Sequence, residues 1–248
     1  MQMEEERLTK SQRRTLAREE KSKRREGGER TKKVRNWIIG IVLVGVFLFG
    51  SYKFVGWINT PQDDLGPVSI EVSSDEWMKG NPEAQTTLIE YSDFQCPACK
   101  NYAPIVQKLG DELPADLRIV YRHLPLVSIH KNAIPSAKAA EAAGIQGKFW
   151  EMHDILFDKQ DDWIDDSSPS DKFEEYAGEI GLNIEKYKGD YESEEVKNAV
   201  NSDLASANSL RLSSTPTFVL NGRVIESPRS YDDFKRLIEN EIRGYSVE

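Results

Sequence analysis

Cysteine, histidine and, past residue 58, basic side chains are what this 248-residue chain has least of. There are two cysteines and three histidines, and both cysteines fall within one tetrapeptide, Cys96-Pro97-Ala98-Cys99. Of the 33 Lys and Arg, thirteen lie in residues 1–36 and one is Lys53, which leaves nineteen beyond residue 58. Seven of the 42 Asp and Glu lie in residues 1–36, so thirty-five face those nineteen and the remainder of the chain has a formal charge of −16. So acidic a region excludes nucleic acid as its ligand, because neutralising phosphates requires a basic surface. Residues 1–36 lack large apolar side chains and cannot bury enough surface to offset the entropy of ordering. They are expected to form a disordered basic tail, a solvated topology signal rather than an arm for RNA or anionic lipid.

Charge itself is missing from Trp37 to Tyr52, and after Lys53 the apolar character resumes through Phe54, Val55, Trp57 and Ile58. About 20 residues span a bilayer, a length this stretch reaches if Lys53 snorkels to the headgroups. Trp37, Tyr52 and Trp57 stand where interfacial aromatics are expected. Eight Lys and Arg lie between residues 21 and 36 and none between 54 and 78. The positive-inside rule then predicts a cytoplasmic N-terminus and an extracytoplasmic remainder, a single-pass protein of the cell membrane. A cleaved signal peptide is the competing reading, but no small-x-small pattern follows in SYKFVGWINTP, which favours an uncleaved signal anchor over residues 37–58. Residues 59–67 read as a polar linker.

Two cysteines placed at random would fall at this spacing roughly one time in a hundred, so chance explains the pair poorly. Zinc requires four N or S ligands, and His123, His130 and His153 are too far apart in sequence for a ligand pair, so no metal is expected. A purely structural bridge across a four-residue loop would remove little entropy from the unfolded chain. A redox pair remains.

Val68–Val72 and Thr86–Tyr91 read as strands, and the second runs into DFQCPACK and a helical pattern at Ala103, Ile105, Val106 and Leu109. Pro97 suits the first turn of a helix, which places Cys96 at the helix N-terminus. There the partial positive charge and free N–H groups favour the thiolate. Cys99, one turn on, is expected to be buried. Glu90 interrupts an apolar strand, where burial would raise its pKa toward neutrality; a solvent-facing position in an edge strand is the alternative. Leu117–His123 reads as a third strand, and Thr217–Leu220, the Asn221-Gly222 turn and Arg223–Glu226 as a hairpin. Ser230 caps a final helix to Ile242. Between them, residues 131–210 are strongly helical, giving an α/β core with a helical insertion. Phe149, Trp150 and Phe157 fall at helical spacing and read as core; His123 reads as a structural strand-end residue, His130 as a loop residue and His153 as a helix-surface residue.

FQCPACK between strand and helix, STPTFVLNG more than a hundred residues later and the helical block between them together resemble the DsbA-like branch of the thioredoxin superfamily, most closely the membrane-anchored disulfide bond formation proteins of bacteria. The likeness covers residues 68–243 and implies a thioredoxin-like fold with an inserted helical domain, here preceded by one transmembrane helix. It implies a cis bond at Thr215-Pro216, with Thr215 pairing its backbone to an extended substrate segment so that a substrate cysteine meets Cys96. Pro216 as a plain first residue of an edge strand is the structural alternative. The likeness also implies that Glu90 moves protons to and from Cys99. Phe94 and Gln95 are expected to line the rim of the site, and Asp93 to serve the turn. Ala98 departs from the family pattern, since strongly oxidising members often carry His there; this puts the oxidising strength in doubt.

The reaction implied is oxidation of cysteine-containing secreted proteins through the Cys96–Cys99 disulfide. A membrane reoxidant of the DsbB or vitamin K epoxide reductase type would restore it, with no metal or organic cofactor in this chain. The same chemistry run as a reductase or isomerase is the first alternative, and a redox-silent chaperone or interaction module the second. The stretch between the anchor and the first strand is too short for the dimerisation domain of the isomerases, which favours an oxidase; a monomer is expected.

Overall fold

The computed structural model describes residues 37–40, 43–45, 47, 49–51, 53 and 70–244. The chain divides into two compact units, Met1–Asp64 and Leu65–Glu248. In the first, the described residues are helical, with Trp37, Ile39, Leu43 and Phe47 exposed. Among the described residues no helix is long and apolar enough to cross a membrane. The tail expected over 1–36 and the linker over 59–67 lie outside the described residues, as does much of the anchor expected over 37–58.

The second unit is built on a five-stranded sheet of order β1-β3-β2-β4-β5, with β1 Trp77–Gly80, β2 Thr86–Ser92, β3 Leu117–His123, β4 Thr217–Leu220 and β5 Arg223–Ile225. β2 and β3 are parallel and every other pair is antiparallel. β2 lies at the centre and is buried along its whole length, as its run of apolar and β-branched residues requires. Its side chains alternate between two cores. Leu88 packs with Ile119 and Phe218 against Val106 and Leu109 of helix α1 (Pro97–Glu112) and Phe234 and Ile238 of the C-terminal helix (Tyr231–Ile242). Ile89 and Tyr91 point the other way, packing with Val120 and Val219 against Ala207, Leu210 and Leu212.

Six helices lie between β3 and β4: α2 Ala133–Gly144, α3 Phe149–Asp158, α4 Gln160–Trp163, α5 Ser170–Glu179, α6 Ile184–Tyr191 and α7 Glu194–Ser209. Buried Ala139, Ala140, Ala142 and Ala143 let α2 serve as their hub, because small side chains allow close approach of its neighbours. Phe149, Met152, Leu156, Phe157, Trp163 and Phe173 fill the space around it, and the same core continues to Phe94, Cys96 and Cys99. The insertion is thus fused to the sheet beneath the cysteines.

The third strand, the last hairpin and the Ser230 cap coincide with their sequence-based expectations; Ser230 Oγ accepts from the Asp233 N–H at 3.1 Å. The first strand does not. Residues 70–72 of the expected Val68–Val72 strand are not extended partners of the sheet, although Ile70 and Val72 pack on its second core. The edge beside β3 is taken instead by Trp77–Gly80, whose indole stacks on Phe149 at 4.6 Å and donates to Glu141 Oε1 at 2.7 Å. Anchoring by one large side chain outweighs the β-propensity of the earlier run. β1 stops at Gly80, whose φ of 82° belongs to glycine and where an added Cβ would collide with the Leu117 carbonyl. Gly80→Ala should therefore cost roughly 2 kcal/mol or more in urea unfolding, from the strained φ and the clash together. An unchanged midpoint would mean that this edge is not held as described.

Candidate active site

The chain leaves β2 at Ser92, turns through Asp93–Gln95 and enters α1 at Pro97, with Cys96 at the N-cap in an extended conformation (φ −76°, ψ 121°). Pro97 at the first helical position has no N–H to leave unpaired, and the Cys96 carbonyl accepts from the Lys100 N–H at 3.2 Å. The turn is held by its own side chains. Asp93 Oδ1 accepts from the Gln95 N–H at 2.8 Å, and Asp93 Oδ2 accepts from the Leu126 N–H at 2.9 Å and lies 2.7 Å from His130 Nδ1. Gln95 reaches into the insertion, accepting from the Asn132 N–H at 2.6 Å and donating to the Ile164 carbonyl at 2.8 Å. Gln160 donates back to the carbonyls of Phe94 at 2.6 Å and Cys96 at 3.2 Å.

These contacts correct the expectation that Phe94 and Gln95 line the rim. Both are buried: Phe94 stacks near Tyr121 at 5.3 Å and Phe157 at 4.9 Å, and Gln95 is spent on the insertion. Gln160 and Asn132 were not singled out from the sequence, because one amide in a helical block carries no local sign of contacting a turn more than thirty residues away. His153 is also corrected: it is buried on α3 among Phe94, Tyr121, Trp150 and Phe157, with Nδ1 2.7 Å from Asp154 Oδ1 and a pKa lowered chiefly by burial. His123 lies at the end of β3 with Nε2 2.8 Å from Glu141 Oε1, and its backbone N–H donates to Asp203 Oδ2 at 2.8 Å. Ligand atoms of His123, Glu141 and Asp203 converge within 4.8 Å, a clustering that the sequence spacing of the histidines does not reveal.

Cys96 and Cys99 are free thiols with different surroundings. Cys96 keeps 8% of its surface, and its Sγ lies 3.5 Å from the Thr215 carbonyl oxygen; the Thr215-Pro216 bond is cis. Donation from the Cys99 thiol is the largest influence on Cys96 and holds it down at about 5. Burial opposes this, while the N–H groups of Cys99 and Ala98 reinforce it. Cys99 is fully enclosed. Burial first, then the neighbouring Cys96 and Glu90 charges, push its thiol well above the ordinary range. Glu90, buried on β2 opposite Tyr121 of β3 and Phe218 of β4, is pushed up by burial to about 7. It occupies the middle of the sheet rather than a solvent-facing edge. The arrangement offers an accessible thiolate that attacks or leaves, an enclosed second sulfur that must gain or lose a proton, and a carboxyl that titrates near neutrality.

Two outcomes follow. Alkylation of the reduced protein by iodoacetamide should titrate with a midpoint near pH 5 and modify Cys96 alone; a midpoint above pH 8 would contradict the thiolate described. Glu90 ionises near 4.5 in an unfolded chain and near 7 in the fold, so between these values the unfolded state releases a proton that the folded state keeps. The contribution of Glu90 to stability therefore falls as pH rises through that window and levels off above it. Glu90→Gln should remove the slope, a gain of up to about 3 kcal/mol at pH 8 by urea unfolding; parallel curves for the two proteins would refute it.

A thioredoxin family model matches residues 73–240. A thioredoxin-like oxidoreductase from Silicibacter pomeroyi DSS-3 is 26% identical, with a TM-score of 0.59 over 70% of this chain and 95% of its own. Oxidised BdbD from Bacillus subtilis is likewise 26% identical, with a TM-score of 0.60 over 68% of this chain and 94% of its own. Among curated proteins, the Na(+)/H(+) antiporter NhaA 1 of Mycolicibacterium gilvum is 31% identical over 214 residues, which is 81% of this chain and 33% of the antiporter. The chain thus spans about a third of the length of these curated relatives, and the match says nothing of transport by this chain. With the fold, the cysteine pair and the cis proline now in view, the chain belongs to the thioredoxin family, in its DsbA-like branch of protein thiol-disulfide oxidoreductases.

Proposed function

We propose that this chain donates disulfides to secreted or surface proteins, working outside the cytoplasm from a membrane tether at residues 37–58. The observation that carries the direction is the position of Cys96 at the N-terminus of α1, where the helix start favours its thiolate. A reduced form stabilised in this way makes the corresponding disulfide more oxidising. Ala98 stands where strong oxidants of the family carry His, and here the start of α1 at Pro97 and the neighbouring Cys99 thiol favour the thiolate instead. A substrate thiolate attacks Cys96 Sγ, the Cys96–Cys99 bond breaks, and a second substrate thiolate then attacks the substrate sulfur of the mixed disulfide, releasing Cys96. The enzyme leaves reduced. A membrane oxidant of the DsbB or vitamin K epoxide reductase type would re-form the bond, and a monomer suffices for every step.

Substrate is held by the backbone at Thr215, which ends a segment lying beside Cys96 and precedes the edge hairpin β4–β5. An extended peptide pairing there would bring its cysteine to Cys96. The tether rests on the uncharged run after a basic tail, and its described residues are helical with large apolar side chains exposed, as a bilayer favours.

The test is the equilibrium reduction potential of the full chain in glutathione buffers, read by tryptophan fluorescence. A value well above the about −270 mV of thioredoxin is expected; a value at or below it would make this a reductase. In intact cells, an impermeant maleimide should label Cys96 after mild reduction, and protection from it would overturn the location. Cys96→Ser should abolish turnover.

A further inference from the structure

The polar atoms beneath the cysteine pair are more numerous than the fold requires. Glu90 Oε1, Ser92 Oγ and Tyr121 OH are all buried, and none makes a hydrogen bond of normal geometry. Each such atom costs free energy, and Phe at 121 or Ala at 92 would fill the same space without it. The three stand together. Glu90 and Ser92 are two apart on β2 and so project from the same face, and Tyr121 is the direct partner of Glu90 on the parallel β3, on that face too. Helix α1 covers this face, and Tyr121 shares a core with Cys99.

We propose that the hydroxyls of Tyr121 and Ser92 carry the proton between Glu90 and Cys99 during disulfide exchange. The proposal rests on exchange at Cys96 and Cys99 in either net direction, not on the location or direction proposed above. When a substrate thiolate attacks the disulfide, a new S–S bond forms to Cys96, the Cys96–Cys99 bond breaks, and its electron pair stays on Cys99 Sγ. That sulfur is enclosed and holds a negative charge poorly. The Tyr121 O–H gives its proton to the sulfur and takes one from the Glu90 carboxyl, directly or through Ser92. Both hydroxyls end neutral, Cys99 ends as a thiol and Glu90 as a carboxylate. Glu90 recovers one of the two protons lost by the substrate thiols, and the other passes to solvent.

Electrostatics agrees with the placement. Ser92 lies near enough to Glu90 and Tyr121 to favour the charged form of each, and the charges of Glu90, Cys99 and Asp93 reach the Tyr121 hydroxyl, whose pKa burial pushes well above its usual value. The other titratable groups packed around Tyr121 are His123 on its own strand and His153 on α3, with Lys79 of β1 acting on Glu90. In this scheme Tyr121 hands the proton to the reacting sulfur, and Ser92 acts through Tyr121 and Glu90.

The full chain, oxidised, is mixed with reduced glutathione from pH 5 to 9 and its reduction followed by stopped-flow tryptophan fluorescence. The parent should show a break near neutrality. Tyr121→Phe should slow reduction about tenfold at pH 7, within the range of proton-transfer effects, and move the break to higher pH, because a buried carboxylate at Glu90 then faces one hydroxyl fewer. Ser92→Ala should do the same to a smaller degree. Glu90→Gln combined with Tyr121→Phe should be no slower than Glu90→Gln alone. A Tyr121→Phe protein with the parental pH profile, or one slowed equally at every pH with its break unmoved, would overturn the relay. So would full additivity in the double variant.

Discussion

The turn from Asp93 to Cys96 is clamped between the sheet and the helical insertion, and the chemistry of the site depends on that clamp. Asp93 binds the loop after β3, Gln95 binds Asn132 and Ile164, and Gln160 binds the carbonyls on either side of Gln95. Each of these side chains is buried, so each bond is made where water cannot replace it and where losing a partner would cost the full desolvation of the other. With the turn fixed, the first N–H groups of α1 and the segment before Pro216 stay aimed at one sulfur. A loose turn would leave the same residues with an ordinary thiol.

Two cysteines of identical chemistry acquire opposite properties from a separation of one helical turn. Cys96 sits at the helix start, still reaching solvent through a small opening; Cys99 is fully enclosed one turn on, with the buried carboxyl of Glu90 among the charges that act on it. The donors to Cys96 outweigh its desolvation, whereas at Cys99 desolvation dominates and neighbouring charge adds to it. Attack and departure therefore fall to Cys96, and proton management to Cys99 and the groups beneath it. The insertion contributes to this asymmetry directly, since its core is continuous with the enclosure of Cys99.

Much of this was legible in the sequence, for reasons that are local. The Pro97 start, the apolar spacing of α1, the Asn221-Gly222 turn and the Ser230 cap each encode backbone geometry within a few residues, and each is found where expected. The edge strand was not legible. VSIEV has the better strand composition, yet WMKG holds the place because Trp77 finds Phe149 and Glu141, some seventy residues away. His153 misleads for a related reason: a polar residue on a helix is expected outside, but here it completes an aromatic cluster and is satisfied by its own neighbour, Asp154.

The sequence by itself determined the pair Cys96 and Cys99 and the helix start that distinguishes them, because each follows from a motif or from apolar patterning along one stretch of chain; the part of Thr215-Pro216 came from the family resemblance, and the burial of Glu90 stood against an edge-strand alternative. Tertiary structure alone decided which strand takes the edge, that Gln95, Asn132 and Gln160 hold the turn, that Phe94 is core rather than rim, and that Tyr121 stands opposite Glu90. These depend on contacts between segments far apart along the chain. Such contacts are set by how shapes and unpaired polar atoms fit when the layers close, and no local pattern records that fit.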